Sequence, residues 1–156
     1  MELSDTYIEE LESRVKAYEE MISDMAAPII PSIIPQTILV PITGVLLGER
    51  FEKIRIKILR YIHKNEVNTA IIDFTDITVD RLENISLTEL SHQIEQLTES
   101  IKLMGVQPCY VGLTPEMTKE IVLSGIKIKA NIYSTFQSAL KQLMKDKNIV
   151  MTIKDK

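Results

Sequence analysis

A heptad pattern of apolar residues opens the chain. Over residues 4–26 the apolar positions are spaced alternately three and four residues apart, and acidic residues occupy the outer positions. The apolar positions are Ile8, Leu11, Val15, Tyr18, Ile22 and Met25. We predict one helix with Ser4 as its N-cap. The narrow apolar stripe fits a helix packed on its own domain or, as we favour, the seam of a two-stranded coiled coil that makes a homodimer.

Prolines separate this helix from the remainder of the chain. The run APIIPSIIPQ contains Pro28, Pro31 and Pro35, which stop a helix and favour extended backbone. Because the run is also apolar, we expect a connector docked on the domain. We therefore predict an N-terminal helical unit over 1–27, a folded domain over 28–148 and a C-terminal tail over 149–156.

Short apolar runs then alternate with amphipathic segments. We predict strands over 37–42, 69–74, 106–113 and 132–133 and helices over 49–64, 86–104, 115–125 and 135–145. The predicted N-caps are Ser86, Thr114 and Ser134, and Gly105 follows the second of these helices. Pro41 indicates a sheet edge or a strand end. This order predicts an α/β layered fold with a mainly parallel sheet of four to five strands and helices packed on it. Residues 149–153 fit either a strand or a frayed end.

Composition narrows the class of protein. The 156 residues are 45% hydrophobic and 26% charged, which is typical of one globular domain. A net charge of −4 disfavours binding to nucleic acid, and a single cysteine excludes an intramolecular disulfide. The acidic N-terminus does not resemble a signal peptide, and no apolar run is long enough to span a membrane. We expect a cytoplasmic protein that binds neither nucleic acid nor membranes.

Few residues suggest catalysis. The chain has no glycine-rich phosphate loop and no dinucleotide fingerprint, and no histidine has a motif relation to Cys109. His63 is interpreted as an exposed residue at a helix end, and His92 as part of a solvated helix face rather than a metal ligand. We predict no catalytic residue, no metal site and no cofactor, and hence no enzyme.

Three carboxylates follow the strand predicted over 69–74. Asp73, Asp76 and Asp80 fit a polar turn, but the carboxyl end of a parallel strand is also where α/β proteins bind magnesium or other ligands. Both interpretations stay open.

The start of the helix predicted over 86–104 carries two hydroxyl groups. Ser86 and Glu89 form an S-x-x-E capping box, with Thr88 between them. The pattern fits a simply capped helix. It also fits a phosphorylation site, because a helix N-terminus favours an added negative charge.

Four segments together resemble a STAS domain, the fold of the anti-sigma factor antagonists. They are AIIDFTDIT, IKLMG, VGLTPEMTKEIVLSGI and IYSTFQSALKQL, and they are most similar to RsbR-type proteins of the bacterial stressosome. The family motifs match at Ala70–Thr75, Leu103–Gly105 and Val111–Glu116, and the proline-rich lead into the domain matches at Pro28–Pro31. The resemblance covers residues 26–145.

The resemblance implies a non-enzymatic regulator that acts through protein–protein contacts, with other STAS proteins and a serine/threonine switch kinase as partners. Counting back from Gly105 places the family's phosphorylatable hydroxyl on Thr88. The chain departs from the family pattern in two ways. Leu87 stands where the family has Asp, and about six residues are inserted, roughly over 79–84. Thr88 or Ser86 is therefore the phosphorylation candidate, or the switch is lost.

The family's second phosphorylatable threonine falls at Glu120, whose carboxylate would imitate a constant negative charge. The partner surface implied by the resemblance follows the strand ends and the two adjacent helix starts. It consists of Asp73, Thr75, Asp76, Glu89, Thr114, Glu116, Thr118 and Glu120.

RsbR-type proteins carry a sensory domain joined to STAS by a helix. The helix of residues 4–26 resembles that linker, so either the protein has no sensor of its own or the chain is part of a longer one. The alternative function is a small-ligand or nucleotide sensor on the same fold, with the loop from Asp73 to Asp80 as its site.

Overall fold

Five helices and seven short strands are found among the residues that the structure describes. The computed structural model describes residues 2–25, 27–44, 46–78, 80, 82–83 and 86–154. The helices are α1 Glu2–Met25, α2 Gly48–Lys64, α3 Leu87–Leu103, α4 Pro115–Leu123 and α5 Phe136–Asp146. The strands are β1 Ile30–Pro31, β2 Thr37–Pro41, β3 Leu46–Leu47, β4 Thr69–Asp73, β5 Leu82–Glu83, β6 Gln107–Val111 and β7 Asn131–Tyr133.

The central sheet has five strands in the order β1-β2-β4-β6-β7. Strand β1 runs antiparallel to β2, and the other neighbours pair in parallel. The prediction of a mainly parallel sheet with helices packed on it is confirmed. A separate parallel pair, β3 with β5, was not predicted. Each of its strands has two residues, too few to show a period-two pattern.

Both faces of the sheet are buried. Ala70, Ile72 and Tyr110 lie in the cluster that packs against α2, α3 and α4, whereas Ile71 and Cys109 lie in the cluster that packs against α5. This alternation follows from the two-residue period of a strand. It explains why β4 and β6 look like continuous apolar runs in the sequence.

A buried hydrogen-bond network holds α3 on the sheet. The Tyr110 hydroxyl lies 2.6 Å from Thr98 Oγ1, which itself donates to the Ile94 carbonyl oxygen at 2.7 Å. The Tyr110 ring contacts Phe74, which stacks on Phe51 of α2. The pKa of the Tyr110 phenol is raised, because the effect of burial exceeds the opposite effect of its hydrogen bond with Thr98. Because its polar atoms are paired inside the core, this network fixes the position of α3.

The helix caps are partly as predicted. Ser86 and Thr114 are N-caps, and Gly105 has the positive φ of a residue that ends a helix (+77°). Two predicted caps are wrong. Helix α1 begins at Glu2, so Ser4 lies inside it. Helix α5 is capped by Thr135 instead of Ser134, because the Thr135 hydroxyl accepts from the Ser138 N–H at 3.1 Å.

The proline-rich connector is docked, as predicted. Ala27 and Ile34 are buried, and the Ser32 N–H donates to the Thr37 carbonyl oxygen at 2.9 Å. Pro41 ends β2, which lies between β1 and β4, so this proline marks a strand end and not a sheet edge. Residues 149–154 form no strand.

Helix α1 extends from the sheet domain as an exposed element. The described side chains from residue 4 to residue 21 are all exposed. The helix is in contact with α2. None of the helices that the structure describes combines the length and apolar character needed to cross a membrane.

Burial is expected to protect Cys109 from alkylation. Its side chain is 1% exposed, and desolvation raises the pKa of the thiol from 9.0 to about 11. At pH 8 the lower thiolate fraction alone slows the reaction with iodoacetamide about a hundredfold relative to the unfolded chain. Labelling rates measured by mass spectrometry with and without urea test this, and equal rates would contradict the burial.

Candidate functional site

The loop after β4 is fixed to the strands on either side of it. The Asp73 carboxylate accepts a hydrogen bond from the Thr75 N–H at 2.8 Å and another from the Thr75 hydroxyl. The Phe74 N–H donates to the Val111 carbonyl oxygen of β6, and the Ile42 N–H donates to the Asp73 carbonyl oxygen, both at 2.9 Å. The carboxyl ends of β2, β4 and β6 therefore form one connected edge.

Gly112 makes the close contact at this edge. Its φ is +75°, and a Cβ atom there would overlap Thr75 Oγ1 and lie 2.5 Å from the Thr75 backbone nitrogen. Only glycine fits such an approach. Thr75 is thus held by Asp73 on one side and by Gly112 on the other. The sequence motif contained this glycine, but the sequence alone did not reveal its contact.

The three aspartates fit the polar-turn interpretation. Asp73 accepts from Thr75, and Asp76 Oδ2 accepts from the Gly44 N–H at 3.2 Å, whereas Asp80 is exposed. Arg50 supports the neighbouring turn by donating to the Thr43 carbonyl oxygen at 2.8 Å, and burial lowers the pKa of its guanidinium. In the part of the chain that is described, no group of three His, Cys, Asp or Glu residues could hold a metal ion.

The two candidate hydroxyls at the start of α3 have different environments. Ser86 Oγ accepts from the Glu89 N–H at 3.1 Å and so acts as the N-cap. Thr88 Oγ1 instead donates to Glu120 Oε1 of α4 at 2.7 Å. Both residues are exposed. The sequence identified Thr88 and Glu120 separately, but their contact joins positions 32 residues apart and is visible only in the structure.

Helix α4 turns Glu120 towards α3. Thr114 Oγ1 accepts from the Met117 N–H at 3.1 Å, and Pro115 occupies the first turn, so the start of the helix is fixed. Met117 and Ile121 are buried and anchor one face of the helix. Thr118 Oγ1 donates to the Thr114 carbonyl oxygen at 3.0 Å, so its hydroxyl is engaged with its own helix.

The remaining polar residues proposed for this surface are exposed. Glu89 and Glu116 lie in the first turns of α3 and α4, where carboxylates complement the helix dipole. His63 and His92 are exposed on α2 and α3. The structure therefore brings Asp73, Thr75 and Gly112 into one contact and Thr88 and Glu120 into another.

The heptad residues of α1 form an exposed apolar stripe. Ile8, Leu11, Val15 and Tyr18 are 50%, 40%, 53% and 61% exposed. The side chains of Ile22 and Met25 lie outside the described residues. Exposure of this extent means that the described part of the stripe is not covered by its own domain.

The chain is similar in sequence to several known proteins. No family model matches it. It is 27% identical over 154 residues to the RsbT co-antagonist protein RsbRA of Bacillus subtilis, and the alignment covers 96% of this chain. The chain spans about half of the length of the RsbR relatives that it matches, 53% in the case of RsbRA.

Solved structures agree in fold. A point variant of RsbS from Moorella thermoacetica has a TM-score of 0.63 at 14% identity and covers 79% of this chain and 98% of its own. A chain from a structure of the stressosome has a TM-score of 0.59 at 13% identity, with coverages of 78% and 100%. The chain thus has the STAS fold. In sequence it is similar to the RsbR-type proteins among the anti-sigma factor antagonists.

Replacing Gly112 should destabilise the site edge. We expect Gly112→Ala to lower the free energy of unfolding by about 2–4 kcal/mol, because a new Cβ meets backbone atoms of Thr75 that cannot move cheaply. Gly125→Ala is a matched control. Its φ is also +75°, but no atom lies within 4 Å of the new Cβ, so we expect a loss of about 1 kcal/mol. Urea unfolding measures both, and equal losses would contradict the close contact.

Proposed function

We propose that the chain is a non-enzymatic regulator of the anti-sigma factor antagonist type. It acts through a partner surface at the strand ends around Asp73–Glu89 and along the Thr114–Glu120 segment, and phosphorylation of Thr88 switches that surface. The sequence similarity to the RsbT co-antagonist RsbRA supports the class of function. The observation that carries the switch is the exposed Thr88 hydroxyl at the start of α3, in contact with a carboxylate of α4.

Thr88 is a better modification site than Ser86. Ser86 Oγ already serves α3 as its cap, so its modification would disturb the first turn of the helix. The Thr88 hydroxyl makes its contact with a side chain outside α3. A phosphoryl group on Thr88 adds a charge of about −2 to the surface while remaining near the positive end of the α3 dipole.

The proposed partners are other STAS proteins and a serine/threonine kinase. The solved stressosome chain supports the first of these, since it shares the fold over 78% of this chain. Charged groups at the rim of an interface act on association rate and on the choice of partner. Phosphorylation at the proposed surface would therefore release one partner or recruit another.

The exposed stripe of α1 supports a homodimer formed with a second copy of this chain. Its heptad a positions carry the β-branched residues Ile8 and Val15, and Leu11 stands at a d position, a combination that favours two parallel strands. In a parallel pair Arg14 at position g lies opposite Glu19 at position e of the second chain, where their charges attract. An antiparallel pair would set glutamates at the e positions against each other.

The domain division of the sequence analysis is retained as a proposal. The exposed side chains of residues 4–21 support a separate helical unit over 1–27. The pairing of β1 with β2 supports a STAS domain over 28–148. Residues 149–156 are the proposed tail. The ligand-sensor alternative has no support among the described residues, because Asp73 accepts from Thr75 in its own turn and Asp76 accepts from the Gly44 N–H of the turn after β2.

Affinity capture tests the proposed function. The tagged full chain is purified from its host, weighed intact by native mass spectrometry and digested for phosphopeptides. We expect a large assembly that contains other STAS chains and a serine/threonine kinase, with phosphate on Thr88. Thr88→Ala should abolish that phosphopeptide, whereas Ser100→Ala on the same helix should not. A bare dimer without STAS or kinase partners would contradict the proposal.

The homodimer is tested by placing a charge in the stripe. We expect Val15→Asp to weaken dimerisation at least about tenfold, because two carboxylates would be buried at facing a positions. Ser13→Asp adds the same charge to the same helix at an exposed position outside the stripe. Sedimentation equilibrium of both variants measures the dissociation constant. A monomeric wild-type chain, or equal effects of the two changes, would exclude this seam.

A further inference from the structure

We propose that the hydrogen bond from Thr88 to Glu120 is a latch between α3 and α4, which phosphorylation of Thr88 opens. The modification step rests on the proposed function. The latch itself is a property of the unmodified chain, so it can be tested without a kinase or a partner.

The geometry of the contact favours a latch. Thr88 Oγ1 and Glu120 Oε1 are 2.7 Å apart, a distance typical of a hydroxyl that donates to a carboxylate. The two residues belong to helices that pack together. Among the side-chain hydrogen bonds of the described residues, this is the one that joins α3 to α4 directly.

Helix α4 is the partner that can move. It has nine residues, of which Met117 and Ile121 are buried. Helix α3 has 17 residues and six buried side chains, and its Thr98 is tied to Tyr110 of the sheet inside the core. An element with few buried contacts opens at a lower free energy than one with many. A change at the contact should therefore displace α4 while α3 stays in place.

Phosphorylation reverses the sign of this contact. The kinase transfers the γ-phosphoryl group of a nucleoside triphosphate to Thr88 Oγ1. A new O–P bond forms, the bond to the nucleoside diphosphate breaks, and the hydroxyl proton leaves to a base of the kinase. The donor that Glu120 used is gone, and a dianion faces its carboxylate instead.

The N-terminus of α3 determines whether the Thr88 phosphate or the Glu120 carboxylate keeps its place at the contact. The phosphate is covalently attached there, and the helix dipole favours it. Glu120 is the anion that can leave, because it belongs to the less anchored helix. Of the charged residues near it on α4, Glu116 is acidic and Lys119 is basic, and both are exposed. Phosphorylation of Thr88 on α3 thus displaces α4.

Hydrogen exchange of the full chain tests the latch. Thr88→Glu places a carboxylate opposite Glu120. We expect it to speed amide exchange in residues 117–124 about three- to tenfold, while exchange in α5 stays unchanged. Ser100→Glu is the matched control, because it adds the same charge to α3 at a hydroxyl that bonds only its own helix, donating to the Gln96 carbonyl oxygen at 2.8 Å.

A second substitution shows whether repulsion between the carboxylates at positions 88 and 120, and not a general disturbance of α3, speeds the exchange. Adding Glu120→Gln to Thr88→Glu removes one of the two facing charges, and we expect it to return α4 exchange to within about twofold of the wild-type rate. Equal exchange in Thr88→Glu and Ser100→Glu, or no recovery in the double variant, would overturn the latch. If α4 opens as expected but capture finds no STAS or kinase partner, the latch holds and the proposed function fails.

Discussion

The close approach of Gly112 to Thr75 is the constraint on which the candidate site depends. It joins the end of β6 to the turn after β4 at a distance that no other residue at position 112 could allow. Thr114, two residues later, caps α4, so the start of that helix is set by the same contact. The position of Glu120 beside α3 thus originates in a glycine at a strand end. This is a backbone constraint, and no side chain of the proposed partner surface could replace it.

The two helices that meet at the site are held to different degrees. Helix α3 carries Thr98, whose hydroxyl is shared between its own backbone and the Tyr110 phenol inside the core. Breaking such a buried pair leaves polar atoms without partners, which costs about 1–3 kcal/mol for each group. Helix α4 has no described buried hydrogen bond of that kind and relies on its cap and on two apolar side chains. A surface built from one firmly held and one loosely held helix can transmit a change in charge as a change in shape.

Much of this architecture could be predicted from the sequence, for physical reasons that also explain the failures. Strands β4 and β6 are apolar runs because both faces of the sheet are covered, and the caps Ser86 and Thr114 stand at the positions that their chemistry favours. The two-residue strands β3 and β5 carry no period, and adjacent hydroxyls at Ser134 and Thr135 compete for one cap. At the site, the family spacing selected Thr88 and Glu120, but their contact depends on the packing of α3 against α4. The roles of these residues in binding and modification stay predictions.

Glu120 changes how the two positions that correspond to the family's phosphorylatable residues, Thr88 and Glu120, can act together. The resemblance to RsbR-type proteins implies a second phosphorylatable hydroxyl at this place, which would give the surface two independent inputs. Glu120 offers no hydroxyl to a serine/threonine kinase, yet its carboxylate does not remain a solvated charge, because it accepts a hydrogen bond from the Thr88 hydroxyl at 2.7 Å. Under the proposed function the two positions therefore act as one: the state of Thr88 determines whether Glu120 is held against α3 or released towards a partner. A permanent charge that is masked in one state and exposed in the other differs physically from a constant mimic of phosphate. Under the proposed function, the substitution simplifies the switch without removing it.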